Sequence, residues 1–375
     1  MRILILLPVL VLAGLLAGCR AETSTRTPDV APPDTLVPEL LFRLGEEDGD
    51  LIFGNIAGAF LDGQGRLLVA DWDAGTIYVF DADGRLVGQI GQKGEGPGEF
   101  QMIGSLIRGV NDSLYVNDWA LRRISVFDPE GAFVRSITVQ AEGRTLPGEL
   151  LGAVPEGLLV RYTQAFTPQD DQQSTSLTFV HLVGYDGTRR PDTLLVSTSS
   201  EPIVLREGSG IRVRVKPFGR GARIQAEPGG ALWYGWTERL ALERIDWRAG
   251  TRRTVITYDL PPQPVSRAER DSLLRDEDLV RMLNATGVSL PEYKPAFSTF
   301  VLGPGGTVWV RLMPEHGAET ASWLVFDAEG PLRAVVRLPV NVWIEDIGAD
   351  RIVGVNRGQA QVVVYRLPEA LRGAA

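Results

Sequence analysis

From residue 56 to residue 100 the chain reads as four short apolar runs parted by Asp/Gly turns. Residues 58–61 end at Asp62-Gly63-Gln64-Gly65, and residues 67–70 end at Asp71-Trp72-Asp73-Ala74-Gly75. Residues 77–80 end at Asp81-Ala82-Asp83-Gly84, and 85–90 run into the glycine-rich stretch 91–98. Asp and Gly at these positions tolerate positive φ or bond to their own backbone, so the pattern predicts strands joined by tight hairpins. Four such strands form one antiparallel meander, which cannot cover its own faces and needs neighbours.

A neighbour follows at once. SLYVNDWALRRISVFDPEGAFVRSI (113–137) restates RLLVADWDAGTIYVFDADGRLVGQI (66–90), with Asp71/Asp118, Trp72/Trp119, Phe80/Phe127, Asp81/Asp128 and Gly84/Gly131 each 47 residues apart. A period of roughly 40–50 residues with four strands per unit is the signature of a β-propeller.

The string G-x-L-x-V-A-D, I-x-V-F-D-x-D-G and G-x-x-G-x-G-P-G-E-F resembles the NHL-type six-bladed β-propellers, and residues 92–100 resemble a junction of bacterial six-bladed β-propeller lipoproteins. The close likeness covers about 56–140. The expected fold is all-β: six four-stranded antiparallel blades. Later blades begin near Leu150, Ala222 and Ser298, and the last has only three strands, 342–348, 351–356 and 361–367. The lone apolar segment 36–44 is the expected fourth strand, closing the ring and hiding its edges. Residues 203–217 leave open a degenerate seventh blade.

The amino terminus is a different kind of sequence. Arg2, an apolar run over 3–16 and Leu16-Ala17-Gly18-Cys19 resemble a lipoprotein signal peptide, 1–18, with Cys19 as the lipidated residue. Arg20 in place of Asp implies, by that resemblance, forwarding to the outer membrane. Residues 19–35 are rich in Thr, Pro, Ala and Ser and read as a tether, so that the propeller spans 36–370. The 42 Gly and 24 Pro suit a turn-rich chain, and the net charge of −9 argues against nucleic acid as a partner.

The departures from the repeat carry the functional reading. In this architecture the a–b and c–d turns share one face and the b–c and d–a connections the other. All the insertions belong to the second set: 163–176, 197–218, 261–296 and 311–322. Loops on a rigid scaffold are where binding surfaces are built. One insertion holds a helical segment at about 263–285, opened by the capping box Ser266–Glu269; it is either a lid over the channel mouth or filler packed onto the ring. The strict alternation of Arg212, Arg214 and Lys216 puts three cations on one side of a strand, to hold an anion or to face solvent. Trp72, Asn117 and Trp119 are candidates for a sugar or peptide platform, and His316 lies in the blade-five loop. Asp71 and Asp118 read as structural acceptors for backbone amides between blades.

Catalytic chemistry finds few residues. There are two histidines, His181 and His316, and no H-E-x-x-H, G-x-S-x-G or P-loop pattern. Calcium at Asp81–Gly84 lacks its bidentate acid, since Gln92 stands there. Two functions remain. The first is a cell-envelope, lipid-anchored scaffold binding a protein, peptide or glycan without a cofactor. The alternative, implied by resemblance to lactonase-type propellers that use carboxylates and amides around an axial calcium, is a calcium-dependent hydrolase or lactonase at the channel mouth; Asn55, Asn111 and Asn117 are examples of such amides. Stable lipid anchoring needs more than one acyl chain or a second signal. Cys19→Ala is therefore expected to move the protein from the membrane to the soluble fraction in a flotation assay; unchanged partitioning would refute the anchor.

Overall fold

The structure, a computed structural model, describes residues 34–46, 49, 51–139, 148–164, 176–208 and 210–372. Cys19 and the rest of residues 1–33 lie outside them. Six four-stranded antiparallel blades follow one another around a ring. Blade one comprises Ile56–Leu61, Leu67–Asp71, Thr76–Phe80 and Leu86–Ile90; blade two comprises Ile103–Arg108, Leu114–Asp118, Arg123–Phe127 and Phe133–Thr138. Blade three runs through Glu149–Val154, Gly157–Thr163, Ser176–Val183 and Arg189–Ser200, and blade four through Ala222–Ala226, Leu232–Trp236, Leu240–Asp246 and Thr251–Tyr258. Blade five has Phe297–Leu302, Val308–Leu312, Thr320–Phe326 and Leu332–Pro339; blade six has Val342–Ile347, Arg351–Asn356 and Gln361–Arg366 plus the amino-terminal Leu40–Leu44.

The strands read as unbroken apolar runs because both faces of each blade are covered. Leu67 and Val69 pack against blade six, whereas Leu68 and Ala70 pack against blade two. Side chains two apart share a face, so one strand supplies two separate joints. A hydrophobic cluster fills every joint in turn, from blades one and two round to six and one. The outer strands are wetter: Leu86–Ile90 is exposed except for Ile90. Tight c–d turns rest on the previous blade's outer strand. At Gly187 (φ +84°) and Gly330 (φ +106°) a β-carbon would stand 2.1 Å from the Thr138 carbonyl oxygen and 2.3 Å from that of Val255, which leaves glycine as the fitting residue.

The amino-terminal segment closes the ring, but not as the single strand expected. Pro38, which has no N–H to donate, divides it. Thr35–Leu36 pairs in parallel with Leu332–Pro339 as a fifth strand of blade five, and Leu40–Leu44 pairs antiparallel with Gln361–Arg366 of blade six. On the inner side the same seam is crossed by Asp346, whose Oδ2 accepts from the Leu61 amide at 2.8 Å.

The structure settles two points that the sequence left open or coarse. Residues 203–217 are no seventh blade but a two-stranded hairpin, Pro202–Glu207 with Gly210–Val215. The helical insertion is two helices, α1 (Arg267–Leu273) and α2 (Glu277–Thr286), because Asp276 starts a second N-cap by accepting from the Leu279 amide at 2.9 Å. Its end is as expected: Gly287 caps α2 at φ +69°.

Removing residues 34–44 would leave Gln361–Arg366 and Leu332–Pro339 with bare edges. The truncated chain is expected to self-associate in size-exclusion chromatography and to melt at lower temperature; a monomer with an unchanged melt would contradict this account of closure.

Candidate functional site

The looped face is built at the ends of the b strands. There Asp71 and Asp118 are fully buried and accept backbone amides. Asp71 takes those of Gly54 (2.8 Å), Asn55 (3.3 Å), Asp73 (2.9 Å) and Ala74 (3.2 Å). Asp118 takes those of Gln101 (2.6 Å), Met102 (3.2 Å) and Leu121 (2.9 Å). They pin the chain where it enters blades one and two, as the repeat suggested. Trp72, Asn117 and Trp119 come together beside them, the two indoles meeting edge to face at 6.4 Å. Asn117 Nδ2 (2.6 Å) and Trp119 Nε1 (3.0 Å) both donate to the Gly148 carbonyl at the start of blade three, and the Trp119 ring covers Gly104. Their polar atoms thus join blades two and three. Asn111 lies apart from Asn55 and Asn117, in the a–b turn on the opposite face. Among the described residues no three His, Cys, Asp or Glu side chains gather at metal-binding distance.

The connections on either side of blade four pack on each other. Ile203 and Leu205 of the hairpin meet Leu279 and Met282 of α2 in a small separate core. Arg212 and Arg214 share this side, because they pair across the hairpin with Leu205 and Ile203. They reach Asp278 at 2.8 Å and Asp276 at 2.6 Å, and Lys216 stands 3.9 Å from Glu201. The three expected cations therefore each face a carboxylate of the chain itself. Arg214 and the Leu279 amide draw the Asp276 carboxyl down to about 2.

Lys294 ties these segments to the blade-five loop. Its ammonium bonds Glu269 of α1 at 2.6 Å and the Pro314 carbonyl at 2.9 Å, and lies 5.6 Å from the centre of the Phe218 ring. Burial alone would raise the Glu269 pKa, but hydrogen bonds from Lys294 and Ser266 outweigh it and hold the group below its ordinary value. The same Ser266 and Glu269 form the expected capping box. His316 projects exposed from the loop that Lys294 anchors.

One cluster had no counterpart in the sequence reading. Strand register places Arg311 opposite Thr299, the position that Asn117 takes opposite Ser105. Like Asn117 it donates across to the next blade, from Nη2 to the Val340 carbonyl at 2.6 Å. It also stacks 4.0 Å from the Trp343 ring centre. A β-bulge between Phe297 and Thr299 turns Ser298 out of the ladder. Its hydroxyl accepts from Arg311 Nη1 at 3.3 Å and its carbonyl from Arg223 Nε at 2.5 Å. Arg223 belongs to the innermost strand of blade four, and Arg161 of blade three lies within electrostatic reach. Burial draws the Arg311 pKa down to about 10; burial and then Arg161 lower that of Arg223. Aligning the blades by strand register would have shown an arginine where blade one has Ala70, but the insertions hid that alignment.

Residues 53–107 match a family model described as a 6-bladed beta-propeller. The chain is a six-bladed β-propeller. No curated protein matches it. Among solved structures this propeller is similar to a Bacteroides fragilis NCTC 9343 protein described as exported, at 12% identity over 89% of this chain and 99% of that one, with a TM-score of 0.49. It is also similar to a virginiamycin B lyase from Staphylococcus aureus (13%, 87% and 99%, TM-score 0.45) and to a gluconolactonase from Xanthomonas campestris (14%, 90% and 97%, TM-score 0.46). The propeller architecture rests on the strand pairing and the matched family model, and the activities of these neighbours remain theirs.

The Lys294–Glu269 pair generates a prediction. Lys294→Met leaves the half-buried Glu269 without its cation; breaking a fully buried pair costs about 3–5 kcal/mol, and the partial exposure of Glu269 brings this to about 1–3 kcal/mol. Denaturant unfolding should show a loss of that order, largely recovered in Lys294→Met/Glu269→Gln. Because the folded Glu269 pKa is depressed, the pair's contribution is full above the ordinary carboxylate range and fades as pH falls through the depressed value. The single variant should accordingly lose least, relative to wild type, at acid pH.

Proposed function

We propose that this propeller is a cell-envelope binding module, carried on a lipid anchor at Cys19, whose looped face engages a protein, peptide or glycan. The observation that carries the reading is the asymmetry of the two faces. The a–b and c–d turns are tight Asp/Gly hairpins, whereas the connections before and after blade four and the blade-five loop are long and held together by Lys294. A surface built from long segments yet fixed by a buried ion pair is preorganised, which lowers the entropy cost of binding. The support for the anchor is the sequence around Cys19 alone.

The test is photo-crosslinking in the native envelope. A reactive side chain at His316 or Trp72, on the looped face, should give discrete adducts that the same group at Gln64 or Asp83, in tight turns, does not. Adducts confined to Gln64 and Asp83 would overturn the reading.

A further inference from the structure

We propose that the looped-face end of blades three to five is an oxyanion site, with Arg161 and Arg223 as the cationic arms that receive a ligand's carboxylate or phosphate group. The inference rests on the reading of this face as the binding face and adds the chemistry of what it takes.

The argument is one of charge balance in a confined place. Arg161, Arg223 and Arg311 come from three successive blades, and the last two meet on a single residue, Ser298. Arg311 is only 3% exposed and, among the described residues, has no carboxylate partner and no hydrogen-bond partner for its Nε. Arg223 also lacks a carboxylate among the described residues. Its Nε and Nη1 are spent on the Ser298 and Ala222 carbonyls, at 2.5 and 2.9 Å, which leaves Nη2 as the nitrogen not committed to a described residue. Among the described residues the acid that pairs with the cluster is Glu149, which lies opposite Arg161 in the strand register and bonds it. The group thus carries an excess of positive charge, although the chain as a whole is at −9.

Guanidinium cannot shed its proton in a protein, so burial must be answered by carbonyls or by an anion. Several other arginines are answered by the chain's own acids, as at Arg212, Arg214 and Arg248, while Arg123 is answered by three carbonyls. Here Arg223 and Arg311 meet on Ser298, carbonyls hold Arg223 in place, and Arg161 lies within electrostatic reach of it. That arrangement destabilises the empty protein and favours a bound oxyanion, since guanidinium geometry matches two oxygens of a carboxylate or phosphate. Arg161 remains 28% exposed at its side chain, so the site can be reached from solvent. Arg311 and Trp343 form the back wall and do not need to touch the ligand.

The test uses the full-length chain, titrated with inorganic phosphate and with acetate against chloride at matched ionic strength and read by calorimetry. At least one of the two should bind saturably. Arg223→Gln and Arg161→Gln should each weaken that binding about tenfold or more, as expected for loss of a charge-assisted hydrogen bond. Arg190→Gln, in the cleft between blades three and four on the opposite face, should leave it unchanged. Preference for phosphate or for acetate tells which source the ligand's oxyanion has, and either supports the site. Should Arg223→Gln fail to fold, the variant at the more accessible Arg161 decides. No saturable binding by either anion, or binding untouched by Arg161→Gln, overturns the proposal, as does equal weakening by Arg190→Gln. If looped-face adducts persist while no anion binds, this proposal falls and the reading of the face stands; anion binding lost only in Arg190→Gln sinks both.

Discussion

Pairing of Leu40–Leu44 with Gln361–Arg366 is the constraint on which the ring depends. A meander of four strands with apolar residues on both faces is stable only between two neighbours, and a linear row always leaves two blades short of one. Circular closure removes both ends, and the cost is the loop entropy of bringing the two termini of the propeller together. That cost grows only logarithmically with length. The seam is consequently reinforced in three ways: the strand pairing, the parallel addition of Thr35–Leu36 to blade five, and Asp346 reaching the Leu61 amide.

The first two blades were legible from the sequence because they obey the repeat closely, down to Asp71 and Asp118 as amide acceptors. Closure was legible as an inventory problem, three strands at one end and a spare one at the other. What failed to show were features that depend on two distant segments meeting. The alternation of Arg212, Arg214 and Lys216 looks like an offered charge until Asp276, Asp278 and Glu201 are placed beside it. Pro38 divides the closing strand, which hydrophobicity alone does not reveal. Arg311 falls in a blade whose loops break the repeat, so its equivalence to Ala70 and Asn117 emerges only from register.

Chemistry on the looped face therefore divides by partner. Cations of the hairpin and helices neutralise acids of the same chain and hold the inserted segments still. Arg223 and Arg311, nearer the inner strands, lean on carbonyls and on the Ser298 hydroxyl. The bulge at Ser298 makes the difference, because it frees a carbonyl and a hydroxyl that a regular ladder would have turned away from Arg223 and Arg311.

The small core of Ile203, Leu205, Leu279 and Met282 has a mechanical meaning as well. Its two halves are the segments that enter and leave blade four, so they buckle that sheet into the ring as a non-covalent belt. Blade four cannot swing outward unless the belt opens first. Local fluctuations should then be shed by other sectors of the wheel, leaving this one as its stiffest spoke.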